Sequence, residues 1–181
     1  MFRILHPDNL PAVSWKNGGG ITREVAKAVD DRGLIWRISL ADVDADGPFS
    51  RFDGLTRILT VIAGAGIDLV SPDGVIAARP GVPVRFSGDL AVVGRLVQGP
   101  IRDLNLIFDA TRVNADVRVL VGPQAITAGP GQTGCLLLRG LVWVDKMLLP
   151  DGAFAFGPSG QIDLDPGATA VLFTISGQPP S

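Results

Sequence analysis

Histidine and cysteine are almost absent from this sequence, since each occurs once in 181 residues. Zinc, copper and iron sites in proteins are built mainly from imidazole and thiolate groups. A transition-metal centre made from a cluster of these ligands is therefore excluded, and we expect neither a metal nor another cofactor. One cysteine, Cys135, also rules out a disulfide within the chain.

The chain also has no large excess of one charge sign and no long apolar run. The 16 Lys and Arg residues nearly balance the 18 Asp and Glu residues, which gives a net charge of -2. Nucleic-acid binding depends on a basic surface, so nucleic acid is not an expected partner. No apolar run reaches the roughly 18 to 20 residues that span a bilayer, and residues 1–7 lack the pattern of a signal peptide. We expect a cytoplasmic protein that does not bind membranes.

Glycine and proline are abundant, with 23 and 14 residues, and 46% of the chain is hydrophobic. Apolar runs of four to eight residues end at Gly, Pro, Asp or Asn, and no long segment has helical periodicity. This composition predicts an all-β protein with many short strands. The predicted strands are 21–28, 34–41, 56–62, 66–70, 75–78, 84–86, 90–97, 101–108, 117–121, 134–139, 141–144, 147–149, 154–156, 162–164 and 169–176.

A pattern of strand, glycine, strand, Pro-Asp-Gly, strand, Pro-Gly and strand occurs twice. The first copy contains Gly64 and the second contains Gly140. This order of strands and turns resembles that of a cupin barrel, present once in each half, although any β protein rich in Gly and Pro can show such repeats. We therefore predict two cupin-like jelly-roll β-barrels in one chain. Residues 1–110 would form the barrel with a polar pocket, and residues 111–181 a smaller barrel packed against it.

Arginine stands where a metal ligand would be expected in the first copy. In metal-binding cupins a glutamate lies seven residues before the motif glycine, and here that position is Arg57. The later histidine position is Val84. A guanidinium is permanently charged and donates two parallel hydrogen bonds to a carboxylate. Strand alternation places Arg57 with Leu59 and Val61 on one face, so we predict that it points inward; the alternative is an arginine at a strand start that reaches solvent.

Two further strands place polar residues together by the same alternation. Arg37 and Ser39 share one strand face, and Asp103 and Asn105 share another. If these faces and Arg57 line the first barrel, its mouth holds two cations and one anion. The alternative is a half-exposed sheet whose polar face meets water.

The segment at residues 14–20 ends in three consecutive glycines, which allow close approach of backbone and could present N–H groups to an anion. It lacks the spacing of a phosphate loop, and a flexible loop is the alternative. Lys16 and Asn17 lie within it, and Glu24 follows shortly after. A later turn carries Phe49 and Phe52, which would either line a pocket or belong to the core.

In combination, these segments resemble the HutD family, which also includes the Ves proteins. The resemblance spans nearly the whole chain, although the second half matches only in pattern. The matching segments are WKNGGGITRE at 15–24, WRIS at 36–39, DGPFSRFDG at 46–54 with Arg57, and DLN at 103–105. The resemblance implies a two-barrel cupin fold and a tie to histidine utilisation in bacteria. It also implies binding of a small metabolite, such as formylglutamate or urocanate, with a role in limiting the pathway.

We therefore expect a metal-free binder of a small carboxylate with a regulatory role. One alternative is a metal-independent isomerase or hydrolase with Glu24 or Asp103 as general base. Another is a structural or interaction module whose apolar second half forms a homodimer. The residues predicted to bind the ligand are Lys16, Asn17, Arg23, Glu24, Arg37, Ser39, Phe49, Arg57, Asp103 and Asn105.

Overall fold

The computed structural model describes residues 1–177, and they form β-strands almost throughout. The prediction of an all-β protein is confirmed. In this part of the chain the only helix is a 3-10 turn at Pro7–Asn9. It is too short to cross a bilayer. The strands are β1 (Arg3–Leu5), β2 (Ala12–Ser14), β3 (Gly20–Asp30), β4 (Gly33–Val43), β5 (Gly47–Pro48), β6 (Thr56–Ala63), β7 (Ile67–Ser71), β8 (Gly74–Ala78), β9 (Val84–Ser87), β10 (Val93–Leu96), β11 (Ile101–Phe108), β12 (Val113–Val121), β13 (Gln124–Thr127), β14 (Gln132–Arg139), β15 (Val142–Val144), β16 (Met147–Leu148), β17 (Phe154–Gly157), β18 (Gln161–Leu164) and β19 (Thr169–Gly177).

The chain divides into two compact units. The N-terminal unit is Leu10–Ala110, and the C-terminal unit combines Met1–Asn9 with the chain from Thr111 onward. The first nine residues join the C-terminal unit because β1 pairs with β17 in antiparallel register. The boundary between the units lies between Ala110 and Thr111, and composition gave no sign that the first nine residues belong to the C-terminal unit.

The N-terminal unit consists of two sheets. One has six strands in the order β2-β3-β4-β11-β6-β9, and the other has four in the order β5-β10-β7-β8. Apolar side chains from both sheets form one core, and buried positions alternate along β7 and β10 of the smaller sheet. By contrast, β6 and β11 are buried at almost every position. The core consists of Ala41, Val43, Phe49, Leu59, Val61, Ile67, Leu69, Ala78, Phe86, Val92 and Ile101.

The C-terminal unit repeats this arrangement with sheets β1-β17-β14-β19-β12 and β13-β18-β15-β16. The order β4-β11-β6-β9 corresponds strand for strand to β12-β19-β14-β17, and the two smaller sheets correspond in the same way. Gly64 and Gly140 follow the equivalent strands β6 and β14, with φ angles of 91° and 82° that favour glycine. The repeated sequence pattern thus corresponds to a repeated strand order. From β4 to β11 most connections lead from one sheet to the other, while β7 and β8 pair within the smaller sheet, as in a jelly roll.

Closed barrels, by contrast, are not confirmed. None of the sheets formed by residues 1–177 closes on itself, so each unit is built from two open sheets. The reason is that strand spacing and turn residues determine how successive strands alternate between sheets. Closure requires hydrogen bonding between strands distant in sequence, which spacing does not specify.

Candidate functional site

A cavity of about 810 Å³ lies in the N-terminal unit. Its base is one face of the six-stranded sheet, and its rim is formed by the β2–β3 turn and the segment around β5. Eight of the ten residues predicted to bind a ligand line it: Lys16, Asn17, Glu24, Arg37, Ser39, Phe49, Arg57 and Asn105. The other lining residues are Pro11, Val13, Ser14, Trp15, Thr22, Ala41, Pro48, Ser50, Phe52 and Ile107.

Strand register brings the polar side chains together. In the pairing of β4 with β11, Ser39 lies opposite Asn105 and Arg37 lies opposite Ile107. In the pairing of β11 with β6, Ile107 lies opposite Arg57. Residues directly opposite on neighbouring strands project to the same face of the sheet. The convergence predicted from alternation alone is therefore present in the fold.

Arg57 is the most buried cation of the cavity, with 5% of its surface exposed. Its Nη1 donates to the backbone oxygen of Ser50 at 3.1 Å, and its Nη2 donates to Oδ1 of Asn105 at 2.8 Å. Its Nε is buried and has no hydrogen-bond partner. Burial lowers the pKa of Arg57 to about 10, while the Asp103 carboxylate acts in the opposite direction. The guanidinium stays charged at neutral pH.

Three phenyl rings surround this guanidinium. Its Cζ lies 5.6 Å from the ring centroid of Phe49, 5.3 Å from Phe52 and 5.1 Å from Phe86. Each contact is within the distance of a cation–π interaction, which contributes about 0.5 to 2 kcal/mol depending on exposure. The rings replace part of the hydration that Arg57 loses on burial. They also hold its donor groups in a fixed orientation towards the cavity.

Asp103 lies on the same strand face as Asn105 but is completely buried and does not line the cavity. Its Oδ1 accepts a short hydrogen bond from Nδ2 of Asn105, and its Oδ2 has no partner. Burial raises the pKa of Asp103 to about 7, whereas Arg57 and the bond from Asn105 act to lower it. The geometry therefore gives no support to direct ligand contact by Asp103. Asn105 connects this carboxyl to the guanidinium of Arg57.

At the opposite side of the cavity, Arg37 forms an ion pair with Glu24. Nε of Arg37 lies 3.1 Å from Oε2 of Glu24, although the angles are not those of a hydrogen bond. Nζ of Lys27 lies 2.9 Å from the other oxygen of Glu24. Both carboxylate oxygens thus have a cationic neighbour, and each partner is partly exposed. Such pairs contribute little to stability and can exchange a partner for a ligand.

The turn at residues 15–20 is held by its own hydrogen bonds. The N–H of Gly18 donates to the oxygen of Trp15 at 3.0 Å, and that of Gly19 donates to Oδ1 of Asn17 at 3.0 Å. Nδ2 of Asn17 also donates to the oxygen of Pro48 at 3.4 Å. These two glycine N–H groups are engaged within the turn, which argues against an anion-binding nest. Asn17 mainly connects the turn to β5, while Lys16 is exposed at the rim.

Arg23 faces away from the cavity. Its Nη1 lies 2.6 Å from Oδ2 of Asp42, which also accepts hydrogen bonds from Arg102. The bond from Arg102 is the main cause that holds the pKa of Asp42 below its usual range. Thr22 and Glu24, on either side of Arg23, line the cavity instead. Arg23 was predicted as a ligand contact, but the geometry places it in an ion-pair network on the other face of the sheet.

The position of a cupin metal offers no suitable donors in this chain. Arg57 is cationic and Val84 is aliphatic, and neither side chain can ligate a metal ion. Within residues 1–177 no three His, Cys, Asp or Glu side chains are grouped as a metal would require. A metal-dependent reaction therefore has no ligand set at this site.

The C-terminal unit has no charged counterpart at the equivalent positions. If Gly64 is matched with Gly140, the strand registers place Thr133 at the position of Arg57 and Leu172 at that of Asn105. Ala170 corresponds in the same way to Asp103. Leu172 and Ala170 are buried in an apolar core. The cationic cavity is thus a property of the N-terminal repeat.

Sequence reasoning missed several residues that shape the cavity. Trp15 donates from Nε1 to Thr22 at 2.8 Å and packs edge-on against Phe49, with ring centroids 5.3 Å apart. Phe86 lies against Arg57 from the core side. Alternation on β9 relative to β6 could have indicated Phe86, because it pairs directly with Arg57. Arg57 also donates to the backbone oxygen of Ser50, and the type of residue at a position cannot predict a backbone contact.

The fold and the cavity define a class. Two jelly-roll-like units in one chain, one of which holds a pocket at the usual site of the cupin metal, are typical of cupin-like proteins. A Cupin 2 conserved barrel domain protein from Leptotrichia buccalis matches with a TM-score of 0.62 at 10% identity, covering 97% of this chain and 96% of that chain. At this identity the likeness shows the fold alone.

The chain belongs to the HutD family, because the HutD family model matches residues 8–173. An uncharacterized 21.2 kDa protein in the hutC 3' region of Pseudomonas putida is 40% identical over 129 residues, 68% of this chain and 67% of that protein. Protein Ves of Citrobacter koseri is 31% identical over 171 residues, which cover 81% of this chain and 88% of that protein. The resemblance stated from the sequence motifs is confirmed.

Two solved structures match this chain over nearly its whole length. HutD from Pseudomonas fluorescens SBW25 (formate condition) matches with a TM-score of 0.87 and 29% identity, covering 99% of this chain and all of that chain. A conserved protein of unknown function from Pseudomonas aeruginosa PAO1 matches with a TM-score of 0.83 and 26% identity, covering 97% and 99%. The likeness extends over both units of the fold.

Proposed function

We propose that the N-terminal unit binds a small carboxylate metabolite, with Arg57 as the anchor. The observation that carries this proposal is the guanidinium of Arg57, which lines the cavity although it is almost fully buried. Its two hydrogen bonds leave one N–H on each terminal nitrogen without a protein acceptor. Two such N–H groups fit the two oxygens of a carboxylate.

The charge of the cavity supports an anionic ligand. Lys16, Arg37 and Arg57 line it, against the single carboxylate of Glu24. Cations in a cleft with low-dielectric walls attract anions more strongly than the same charges in water. A volume of about 810 Å³ is also within the range of about 300 to 1,000 Å³ typical of small-molecule sites.

Apolar surface defines the remainder of the ligand. Trp15, Phe49, Phe52 and Ile107 contribute aromatic or aliphatic surface to the same cavity. A ligand that fits has a carboxylate at one end and a flat or hydrocarbon body, with polar atoms that Ser39 can reach. Formylglutamate and urocanate have this form, and both belong to histidine breakdown.

The names of the relatives suggest the biological setting. One relative lies in the hutC 3' region of its genome, and another is HutD itself. We extend this association to the present chain and place it in the cytoplasm as a regulator that limits histidine utilisation by binding a pathway metabolite. Deletion of its gene is then expected to alter growth or metabolite accumulation on histidine, but not on glutamate. Equal behaviour on both would contradict the regulatory role.

Catalysis has less support than binding. Asp103 is sealed from the cavity, and both oxygens of Glu24 face cations, so neither predicted general base is free beside a ligand. Incubation of the purified protein with formylglutamate and urocanate, followed by mass spectrometry, tests for turnover. The proposed homodimer is a separate expectation that light scattering tests.

Direct binding measurements test the proposal. Wild-type protein is titrated with N-formylglutamate, urocanate and their carboxamides by calorimetry, with thermal unfolding as a second readout. Arg57→Lys keeps the charge but removes the planar fork, and we expect a loss of binding of about tenfold or more. Arg57→Ala is expected to abolish ligand-induced thermal stabilisation.

Arg79→Lys is the matched control, since Arg79 forms a partly exposed ion pair with Asp68 in the same unit and does not line the cavity. It should bind like the wild type. Equal binding of carboxylate and carboxamide, or unchanged binding by Arg57→Lys, would contradict the proposal.

A further inference from the structure

We propose that Asp103 is a positioning residue that couples anion binding in the cavity to the uptake of a proton. This inference rests on the proposed function, because it concerns how the same cavity holds its ligand. The structure gives Asp103 no contact with the cavity, yet one hydrogen-bonded chain leads from it to the anchor. Asn105 donates to Asp103 and accepts from Arg57.

The two oxygens of Asp103 have different surroundings. Oδ1 accepts the bond from Asn105, while Oδ2 is buried without a partner. An ionised carboxylate with an unpaired buried oxygen is costly, whereas a neutral carboxyl carries its proton on that oxygen. The charge that compensates ionised Asp103 comes from Arg57, which acts on it through space. Oδ2 is therefore the place where a proton would bind.

Anion binding removes this compensation. A carboxylate ligand on Arg57 is a second negative charge that shares the same cation with Asp103. Two anions near one cation in a low-dielectric environment favour protonation of the more buried one, as in paired carboxylates. Since the pKa of Asp103 is already about 7, a further rise moves its proton uptake into the neutral range. Ligand and proton then bind together, and each favours the other.

Other charged groups also affect the pKa values of Asp103 and Arg57. On β4, Asp42 acts to raise the pKa of Asp103, but it is paired with arginines on the other face of the sheet. Arg37 lowers the pKa of Arg57 and is paired with Glu24 of β3. The facing sheet contributes the apolar Ile67 and Leu69 to the core, and Asp68 of that sheet is paired with Arg79. No other ionisable group of the described unit is buried beside this carboxyl.

The chemistry is a simple balance. A ligand carboxylate brings one negative charge to Arg57, and each proton that moves from solvent to Oδ2 of Asp103 offsets one negative charge. Affinity is expected to rise as pH falls through the range above about pH 7. If binding raises the pKa of Asp103 by about one unit, affinity changes by about tenfold between about pH 9 and about pH 6.

Calorimetric titration of full-length protein with N-formylglutamate tests the coupling, because the carboxylates of this ligand stay ionised in this range. Titrations in buffers of different ionisation enthalpy count the protons taken up. Wild type should take up about half a proton per site at about pH 7.5. Asp103→Asn keeps the acceptor for Asn105 but cannot ionise. It should take up none, and above about pH 8 it should bind more tightly than wild type, by up to about tenfold.

Glu24→Gln removes the one carboxylate that lines the cavity, and ligand binding by this variant should still be accompanied by proton uptake. Proton uptake that persists in Glu24→Gln supports Asp103 as the site of uptake even if Asp103→Asn folds poorly. Binding by wild type without proton uptake, or full uptake in Asp103→Asn, would overturn the coupling while leaving the proposed function intact. Absence of carboxylate binding at every pH would overturn both.

Discussion

Arg57 and Asn105 lie on neighbouring strands and are joined by a 2.8 Å hydrogen bond from Nη2 to Oδ1. The amide of Asn105 then uses its Nδ2 to donate to Asp103. An amide can serve as acceptor towards a cation and donor towards a carboxyl at once, which neither leucine nor aspartate can do. Asn105 thus orients the guanidinium, and its two hydrogen bonds link Arg57 to Asp103.

Asn105→Leu removes both bonds while nearly conserving volume. We expect a loss of about 2 to 4 kcal/mol in the free energy of unfolding, because two buried charged groups lose a partner. Binding of N-formylglutamate should fall by about tenfold or more, since the orientation of Arg57 is lost. Urea denaturation and calorimetry measure the two effects. A loss of stability with unchanged affinity would show that Asn105 does not orient the anchor.

Substitutions at two phenylalanines that both contact Arg57 should affect ligand affinity and the free energy of unfolding differently. Phe52 lines the cavity, whereas Phe86 is 7% exposed and belongs to the core. Phe52→Leu is expected to weaken binding about threefold with little loss of stability, because one cation–π contact at the cavity is removed. Phe86→Leu should lower the free energy of unfolding by about 1 to 3 kcal/mol. The same effect of both variants on affinity would contradict this division.

The buried carboxyl of Asp103 gives a pH dependence of stability with a definite sign. Its pKa is about 7 in the folded protein, above the ordinary value that it has when unfolded. Between about pH 4 and about pH 7 the folded state binds more protons than the unfolded state, so the contribution of Asp103 to stability falls as pH rises. Above about pH 7 it is constant.

Urea denaturation of wild type and Asp103→Asn across this range isolates that contribution. The stability of wild type minus that of the variant should decline from about pH 4 to about pH 7 and then level off. A difference that does not change with pH would contradict the folded-state pKa.

Gly20 is required by a close approach in the turn that forms the rim. A Cβ on this residue would lie 2.4 Å from the backbone oxygen of Asp42 and 3.3 Å from the ring of Trp15. Gly20→Ala is therefore expected to cost about 2 kcal/mol or more and to weaken ligand binding. Gly129→Ala, where a Cβ meets nothing within 4 Å, is the control and should be nearly neutral. Similar melting temperatures for both variants would refute the steric argument.

The part of the site that follows from sequence is the part governed by strand alternation. Predicted strand 101–108 coincides with β11, and the pairs Arg37 with Ser39 and Asp103 with Asn105 do share faces. Side-chain direction on a strand has a period of two, so residue spacing alone determines it. Depth in the core is not determined in this way. Alternation therefore could not show that Asp103 lies beneath the cavity while Asn105 lines it.

Long-range pairing accounts for most of what sequence reasoning missed. β1 was not predicted, because a three-residue strand gains its stability from pairing with β17, about 150 residues away. The first residues of β12 were missed for the same reason, because they pair with β19, which is distant in sequence. β2 was also missed, although it pairs locally with β3. Closed barrels were inferred from the spacing of strands and turns and are not confirmed. The motif resemblance supplied the family, but it placed Arg23 at the ligand, whereas its strand face directs it to Asp42.

A crystal structure of the protein with N-formylglutamate tests the central claim most directly. We expect ligand density within the N-terminal unit, with carboxylate oxygens at about 2.7 to 3.0 Å from the terminal nitrogens of Arg57. A ligand held only by rim residues, or bound in the C-terminal unit while Arg57 keeps its present contacts and no others, would contradict it.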